Sequence, residues 1–135
     1  MKYVNKKMVL VINRLSVELS GGACASGNNI RDGQNLGFIE HIHGNSIFGE
    51  AIYPDIYHQA AAYMFYIIKN HVFLDGNKRT GLASAITFLE LNNIAFAPLE
   101  EDKVFDYVMS VAEGLNNPEE VIPSIAEWFK ELSLN

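Results

Sequence analysis

The sequence predicts an all-α fold: a compact single-domain helical bundle of about six helices, with at most a short β-hairpin flap near residues 46–53. Three observations lead there. Apolar residues recur at helical spacing through the long segments, and helix start and stop residues sit at their ends. Runs of strand-like alternation are nearly absent. No internal repeat or linker divides the 135 residues, so one domain spanning 1–135 is expected. With 49% apolar residues, eight Phe and six Tyr, the chain has ample material for a core.

Taken in order, "NKKMVLVINRLSVELS" (5–20) has an N-cap in Asn5 and stops at Gly21-Gly22. Residues 21–34, rich in Gly, Asn, Ala and Ser, read as a loop, longer than a simple connection needs, that either covers a site or is disordered. "NLGFIEHIHG" reads as a short helix with Leu36, Ile39 and Ile42 on one side, and "NSIFGEAIYPD" as the flap. Pro54 suits the first position of the next helix, where its missing N–H costs nothing. That helix, "PDIYHQAAAYMFYIIKN", is apolar nearly all round from Ala60 to Ile68, which marks it as central and buried. "KRTGLASAITFLELNN" carries Leu82, Ala85, Ile86 and Leu89 inward and stops at Asn92-Asn93. "EEDKVFDYVMSVAEGLNN" places Val104, Tyr107, Val108, Val111, Ala112 and Leu115 on one face and ends near Gly114. The last helix starts at Pro118 with acidic residues in its first turn, and Pro123 is placed to kink it. Trp128 and Phe129 belong to its core side.

The bulk composition excludes several function classes. A net charge of -6 and a pI near 5.1 argue against broad affinity for nucleic acid or an anionic membrane surface. Neither partner is therefore expected, although one focused anion site remains compatible. The only cysteine, Cys24, can form no internal disulfide and has no activating base nearby, which fits a reducing compartment. The apolar run Met8 to Ile12 is too short for a signal peptide, and no stretch reaches membrane-spanning length, so a cytoplasmic location is expected. His41 and His43 point to different helix faces without a carboxylate partner, a poor basis for a zinc site.

Chemistry concentrates in "KNHVFLDGNKRTG" (69–81), a charged loop between two apolar helices. The free N–H groups of the helix starting near Asn77 or Lys78, with the positive end of its dipole, form an anion site. Gly76 lets the backbone turn tightly there. Lys78 and Arg79 sit where the dipole disfavours cations by about 0.3–1 kcal/mol each, a cost that an anion bound there would offset. Phosphate fits, since a guanidinium grips it bidentately and an ammonium adds a point charge. Asp75 is a hard oxygen ligand suited to Mg²⁺ beside phosphate oxygens. His71 is the neutral-pH proton acceptor of the group. Singly, each residue also has a plain reading: a histidine at a helix end, an Asp-Gly turn, an Asp75–Arg79 surface ion pair. Together they make the parts list of a phosphoryl or nucleotidyl transferase acting on a hydroxyl.

The run His71-Val-Phe73-Leu-Asp75-Gly76-Asn77-Lys78-Arg79 resembles the signature of the Fic/Doc family, most closely its Doc (death-on-curing) branch. "RDGQNLGFIEHI", "FGEAIYP" and "TGLASAITFLELN" follow the order and spacing of Doc-like proteins, so the resemblance covers most of the chain. It implies that His71 is the general base for a target hydroxyl and that Asp75 holds Mg²⁺. It also implies that Gly76, Asn77, Lys78 and Arg79 cradle the phosphates of ATP, and that Ile47, Phe48 and Gly49 belong to a flap aligning the target chain. Two departures separate this chain from the AMP-transferring members. Lys78 stands where they have Gly, and Leu82 stands where they have a second Arg. The resemblance therefore implies transfer of the γ-phosphate of ATP to a Ser or Thr of a protein target, with elongation factor Tu the target it suggests and arrest of translation the outcome. Met109 stands where a built-in inhibitory helix would need Ser or Thr before Glu113-Gly114, so restraint by a small antitoxin protein acting in trans is expected. AMP or other nucleotidyl transfer on the same scaffold, and a non-catalytic partner-binding role, stay open at this point.

Overall fold

A computed structural model describes residues 1–21, 29–43, 46–47 and 50–135. Cys24, Phe48 and Gly49 lie outside the described residues. The chain forms six helices and one hairpin among them: α1 (Lys6–Leu19), α2 (Ile39–Ile42), β1 (Ser46–Ile47), β2 (Glu50–Ala51), α3 (Ile56–Lys69), α4 (Asn77–Leu91), α5 (Glu101–Glu113) and α6 (Pro118–Leu132). The all-α expectation holds, and the strand-like alternation after α2 does close into a two-stranded antiparallel ladder, with Ser46 opposite Ala51 and Ile47 opposite Glu50.

The helix ends follow local chemistry. Asn5 caps α1 by accepting the Met8 N–H at 2.9 Å, and Ser20 with left-handed Gly21 ends it. α3 begins two residues later than Pro54 suggests, at Ile56. The Asp55 carboxylate accepts the His58 N–H at 2.9 Å and takes the cap position, so Pro54 lies outside the helix. A carboxylate facing free amides is worth more than a pre-set φ. Asn117 caps α6 with Pro118 as its first residue. Pro123 lies inside α6, which runs on to Leu132. The lost hydrogen bond falls near the helix start, where both Pro123 and Glu119 are exposed to water. α5 ends at Glu113, so Leu115 falls beyond it and is 65% exposed rather than continuing the inward stripe. Lys69 Nζ donates to the carbonyls of Ala112 and Gly114 at that end, at 3.2 and 3.0 Å.

α3 is the axis of the core. Its residues Ala60 to Phe65, with Ile67 and Ile68, are buried between α4 and α6, the two helices that pack most extensively on it. Phe88 and Leu89 enter from α4, Ile125 and Phe129 from α6, Val9 and Val17 from α1. Tyr107 of α5 stacks on half-buried Trp128 of α6 with ring centroids 4.0 Å apart. No described helix is long and apolar enough to cross a membrane.

Candidate active site

The site is built where α3 stops and α4 starts. α3 ends at Lys69 with Asn70 as its cap, and the chain reverses through His71 at φ 47°, a left-handed conformation unusual outside glycine. Because of that reversal His71 is exposed, whereas the next two residues, Val72 and Phe73, turn into the core. Phe73, 1% exposed, pins the loop from below.

The segment after His71 is extended and pairs with a partner that periodicity could not show. Arg31 N–H donates to the Val72 carbonyl at 2.9 Å and Leu74 N–H to the Asn29 carbonyl at 2.9 Å, with Ile30 opposite Phe73. Residues 29–31 thus form one edge of the site, although their glycine-rich context reads as plain loop. Asn77 then clamps Phe73 from both sides. Its Oδ1 accepts the Phe73 N–H and its Nδ2 donates to the Phe73 carbonyl, each at 2.9 Å. The Asn77 side chain is therefore spent on loop shape, which leaves its backbone amide to face a ligand.

Gly76 adopts φ 81° and opens α4 without any side-chain cap. The first amide to find an intrahelical partner is Thr80, on the Gly76 carbonyl at 2.8 Å. The N–H groups of Asn77, Lys78 and Arg79 are the orphan donors of this helix start. Lys78 and Arg79 are exposed beside them, and among the described residues no carboxylate pairs with either. The plain reading of Asp75–Arg79 as an ion pair is not what the structure shows. Exposed cationic residues, orphan amides and the dipole's positive end share one helix start, an arrangement suited to an anion.

Asp75 is exposed, with Oδ1 accepting the Gly76 N–H at 2.8 Å and Oδ2 meeting no partner among the described residues. Among the described residues no three His, Cys, Asp or Glu side chains gather as a metal cage. Mg²⁺ needs no such cage, since one carboxylate, phosphate oxygens and water complete its octahedron, so the donor set fits that ion. Two of the other histidines do structural work. His43 Nε2 lies 3.0 Å from the Tyr63 hydroxyl and the ring stacks on Tyr3, while His58 Nδ1 lies 2.8 Å from Asp55.

His71, Asp75, Gly76, Asn77, Lys78 and Arg79 thus lie along one stretch, from the end of α3 to the first turn of α4. Ile47 lies on β1 of the hairpin. Two residues that sequence reasoning missed hold the turn from behind: Asn13 of α1 and Asn29. Asn13 carried a signal, since it is the polar member of the inward series Val9, Asn13, Val17.

Comparison with known proteins meets this geometry. The sequence profile described as "Fic/DOC family" matches residues 3–89. The chain belongs to the Fic/DOC family. The matched span runs from the N-terminal segment through most of α4 and includes the whole His71–Arg79 loop. Within Fic/DOC proteins the chain is similar to Toxin Doc of Mycolicibacterium smegmatis, 37% identical over 68 residues, which are 50% of this chain and 52% of that protein. The chain therefore spans about half the length of the curated relative it matches. α5 and α6 lie outside the Fic/DOC match, although α6 supplies much of the cover on α3.

Proposed function

We propose that this Fic/DOC protein is a Doc-like toxin: a protein phosphotransferase that moves the γ-phosphate of ATP to a Ser or Thr hydroxyl of a protein target and thereby arrests translation. Family membership supports a transferase that acts on proteins with a nucleotide substrate, and the similarity to Toxin Doc supports the toxin role. The observation that carries the reading is the uncapped start of α4, with Lys78 and Arg79 exposed around it and exposed His71 at the other end of the same loop.

In the proposed reaction the phosphate chain of ATP rests on the orphan amides of Asn77 to Arg79. Arg79 and Lys78 balance its charge. His71 accepts the proton of the target hydroxyl as that oxygen bonds to the γ-phosphorus; the bridging β–γ P–O bond breaks and ADP leaves. Asp75 would hold Mg²⁺ through Oδ2, and the ion would supply charge neutralisation at the phosphate oxygens. Leu82, half-buried against the core, offers no second guanidinium for a phosphate held the other way round, which favours γ- over α-phosphate transfer. The hairpin containing Ile47 would align the target by strand addition. Elongation factor Tu is the target this reading names, the cytoplasm its place of action, and a small antitoxin its restraint in trans.

The test is incubation with purified elongation factor Tu and Mg²⁺, using ATP labelled on the α- or the γ-phosphate. The reading expects only the γ-label on protein. Label from α-phosphate would replace it with nucleotidyl transfer, and no label from either would remove the catalytic reading for that target.

A further inference from the structure

The proposed chemistry needs the Asp75–Arg79 turn held still, and α1, which carries none of the reacting groups, does the holding. Asn13 is 1% exposed on the inward face of α1. Its Nδ2 donates to the Asp75 carbonyl at 2.9 Å and to Thr80 Oγ1 at 3.1 Å, while its Oδ1 accepts from Asn29 Nδ2 at 3.3 Å. Asn29, 6% exposed, also reaches the Asp75 carbonyl, at a longer 3.4 Å. Thr80 is fully buried in the first turn of α4. Three of the amide's four hydrogen-bonding positions are thus filled. Every partner belongs either to the turn or to the segment that pairs with the loop before it.

α1 also lies directly against the turn's backbone. A Cβ on Gly76 would come within 2.9 Å of Val17 Cγ2 and 3.2 Å of Asn13 Nδ2. Left-handed Gly76 therefore lies close against Val17 and Asn13 of α1. The two carbonyl and hydroxyl anchors flank the amides that face solvent. A buried amide deprived of these partners loses its compensation for leaving water, so the network is satisfied only with the turn in register.

We infer that Asn13, with Asn29 and Thr80, is a positioning residue for the anion site, fixing where the Asn77–Arg79 amides point. The inference rests on the nucleotide reading for the identity of the anion, but the hold itself is independent of it. Such a residue touches no substrate. Its loss should loosen one turn and weaken phosphate binding while leaving the bundle and target recognition in place.

The experiment compares the full chain with Asn13→Ala, Thr80→Val and Thr80→Ser, by amide hydrogen exchange, by calorimetry with MgATP and by the γ-label assay. Asn13→Ala and Thr80→Val should speed exchange at the hydrogen-bonded amides that brace the turn, those of Phe73, Leu74 and Thr80, while the buried amides of α3 keep their protection. The Kd and KM for MgATP should rise about tenfold or more, in keeping with an ångström-scale misplacement, with the KM for the protein target unchanged. Thr80→Ser keeps the hydroxyl acceptor and should restore wild-type behaviour. Faster exchange spread evenly over all helices would overturn the inference in favour of a general stabilising role, and so would an unchanged turn with unchanged MgATP affinity. If the parent chain binds no MgATP, the nucleotide reading falls, and the exchange pattern alone still decides the role of Asn13. The Thr80 pair decides it if Asn13→Ala does not fold.

Discussion

His71 occupies a backbone conformation that most side chains avoid. At φ 47° a residue with a Cβ is strained, by roughly 1–2 kcal/mol for a typical residue, with His, Asn and Asp the better tolerated. The strain has a geometric return: the reversal sends the imidazole outward while Val72 and Phe73 sink into the core. Two contributions of His71 can be separated by substitution. His71→Ala should cut transfer by about 10²- to 10⁴-fold, the usual worth of a positioned base, and leave MgATP affinity within about twofold. His71→Asn, which suits the left-handed region, should show the same loss of turnover with a smaller loss of stability. A chemical-denaturation curve beside a γ-label time course checks both, and retained turnover in either variant would remove His71 from the chemistry. The six candidate residues from His71 to Arg79 are legible in sequence because they are nearly contiguous and chemically conspicuous. Asn13 and Asn29 are not, since they reach the turn from 62 and 46 positions away and resemble ordinary helix and loop residues.

Between elements, the decisive approach is that of α3 and α4, whose ends carry the site. Gly81 makes it possible. A Cβ there would lie 2.9 Å from Ile68 Cγ1 and 3.0 Å from the Met64 carbonyl, so α4 could not sit as close. Gly81→Ala gains about 1 kcal/mol in helix propensity but overpacks a tight contact, which costs about 1–3 kcal/mol. The net expectation is a destabilised protein with a lower urea midpoint, and a raised midpoint would show that α3 has room to give. At the other end of α3, burial pushes the Asp55 carboxyl up. Hydrogen bonds from the His58 side chain and backbone, the nearby His58 charge and a hydrogen bond from Lys130 outweigh that and lower it below its ordinary value of 3.8. A depressed acid stabilises the fold above its unfolded value, and this contribution is lost as pH falls through the folded value. Asp55→Asn keeps a capping oxygen but abolishes the ion pairs with His58 and Lys130. It should lower stability near neutrality by under about 1 kcal/mol, because the pair is partly solvated. That gap should close as pH drops below 3.8, which thermal melts across the acid range would show. Sequence placed this helix well but chose Pro54 to start it, since propensity is local and a carboxylate's grip on free amides shows only in three dimensions. The pairing of residues 29–31 with the site loop escaped for a related reason: a three-residue bridge leaves no periodicity to read.

The family match and the physical core do not share a boundary. The match ends at residue 89, before α5 and α6. Yet α6 covers one side of α3, where Ile122, Ile125 and Phe129 are all at most 5% exposed. Burying three such side chains is worth roughly 5–9 kcal/mol, which is of the same order as the whole stability of a domain, about 5–15 kcal/mol. The C-terminal tail adds a direct tie, with Leu134 N–H donating to the Ala95 carbonyl at 2.8 Å and Phe96 bridged to Ser133. The site loop hangs from the C-terminal end of α3, so its geometry depends on a helix that the matched segment cannot cover alone. A fragment ending at Asn93 keeps every proposed site residue and all of the family match. It should nevertheless stay largely unfolded, with weak far-ultraviolet helical signal, no cooperative thermal transition and no MgATP binding. A cooperative melt from that fragment would mean that α1, α2 and α4 suffice to cover α3, and that α6 contributes far less than its buried side chains indicate.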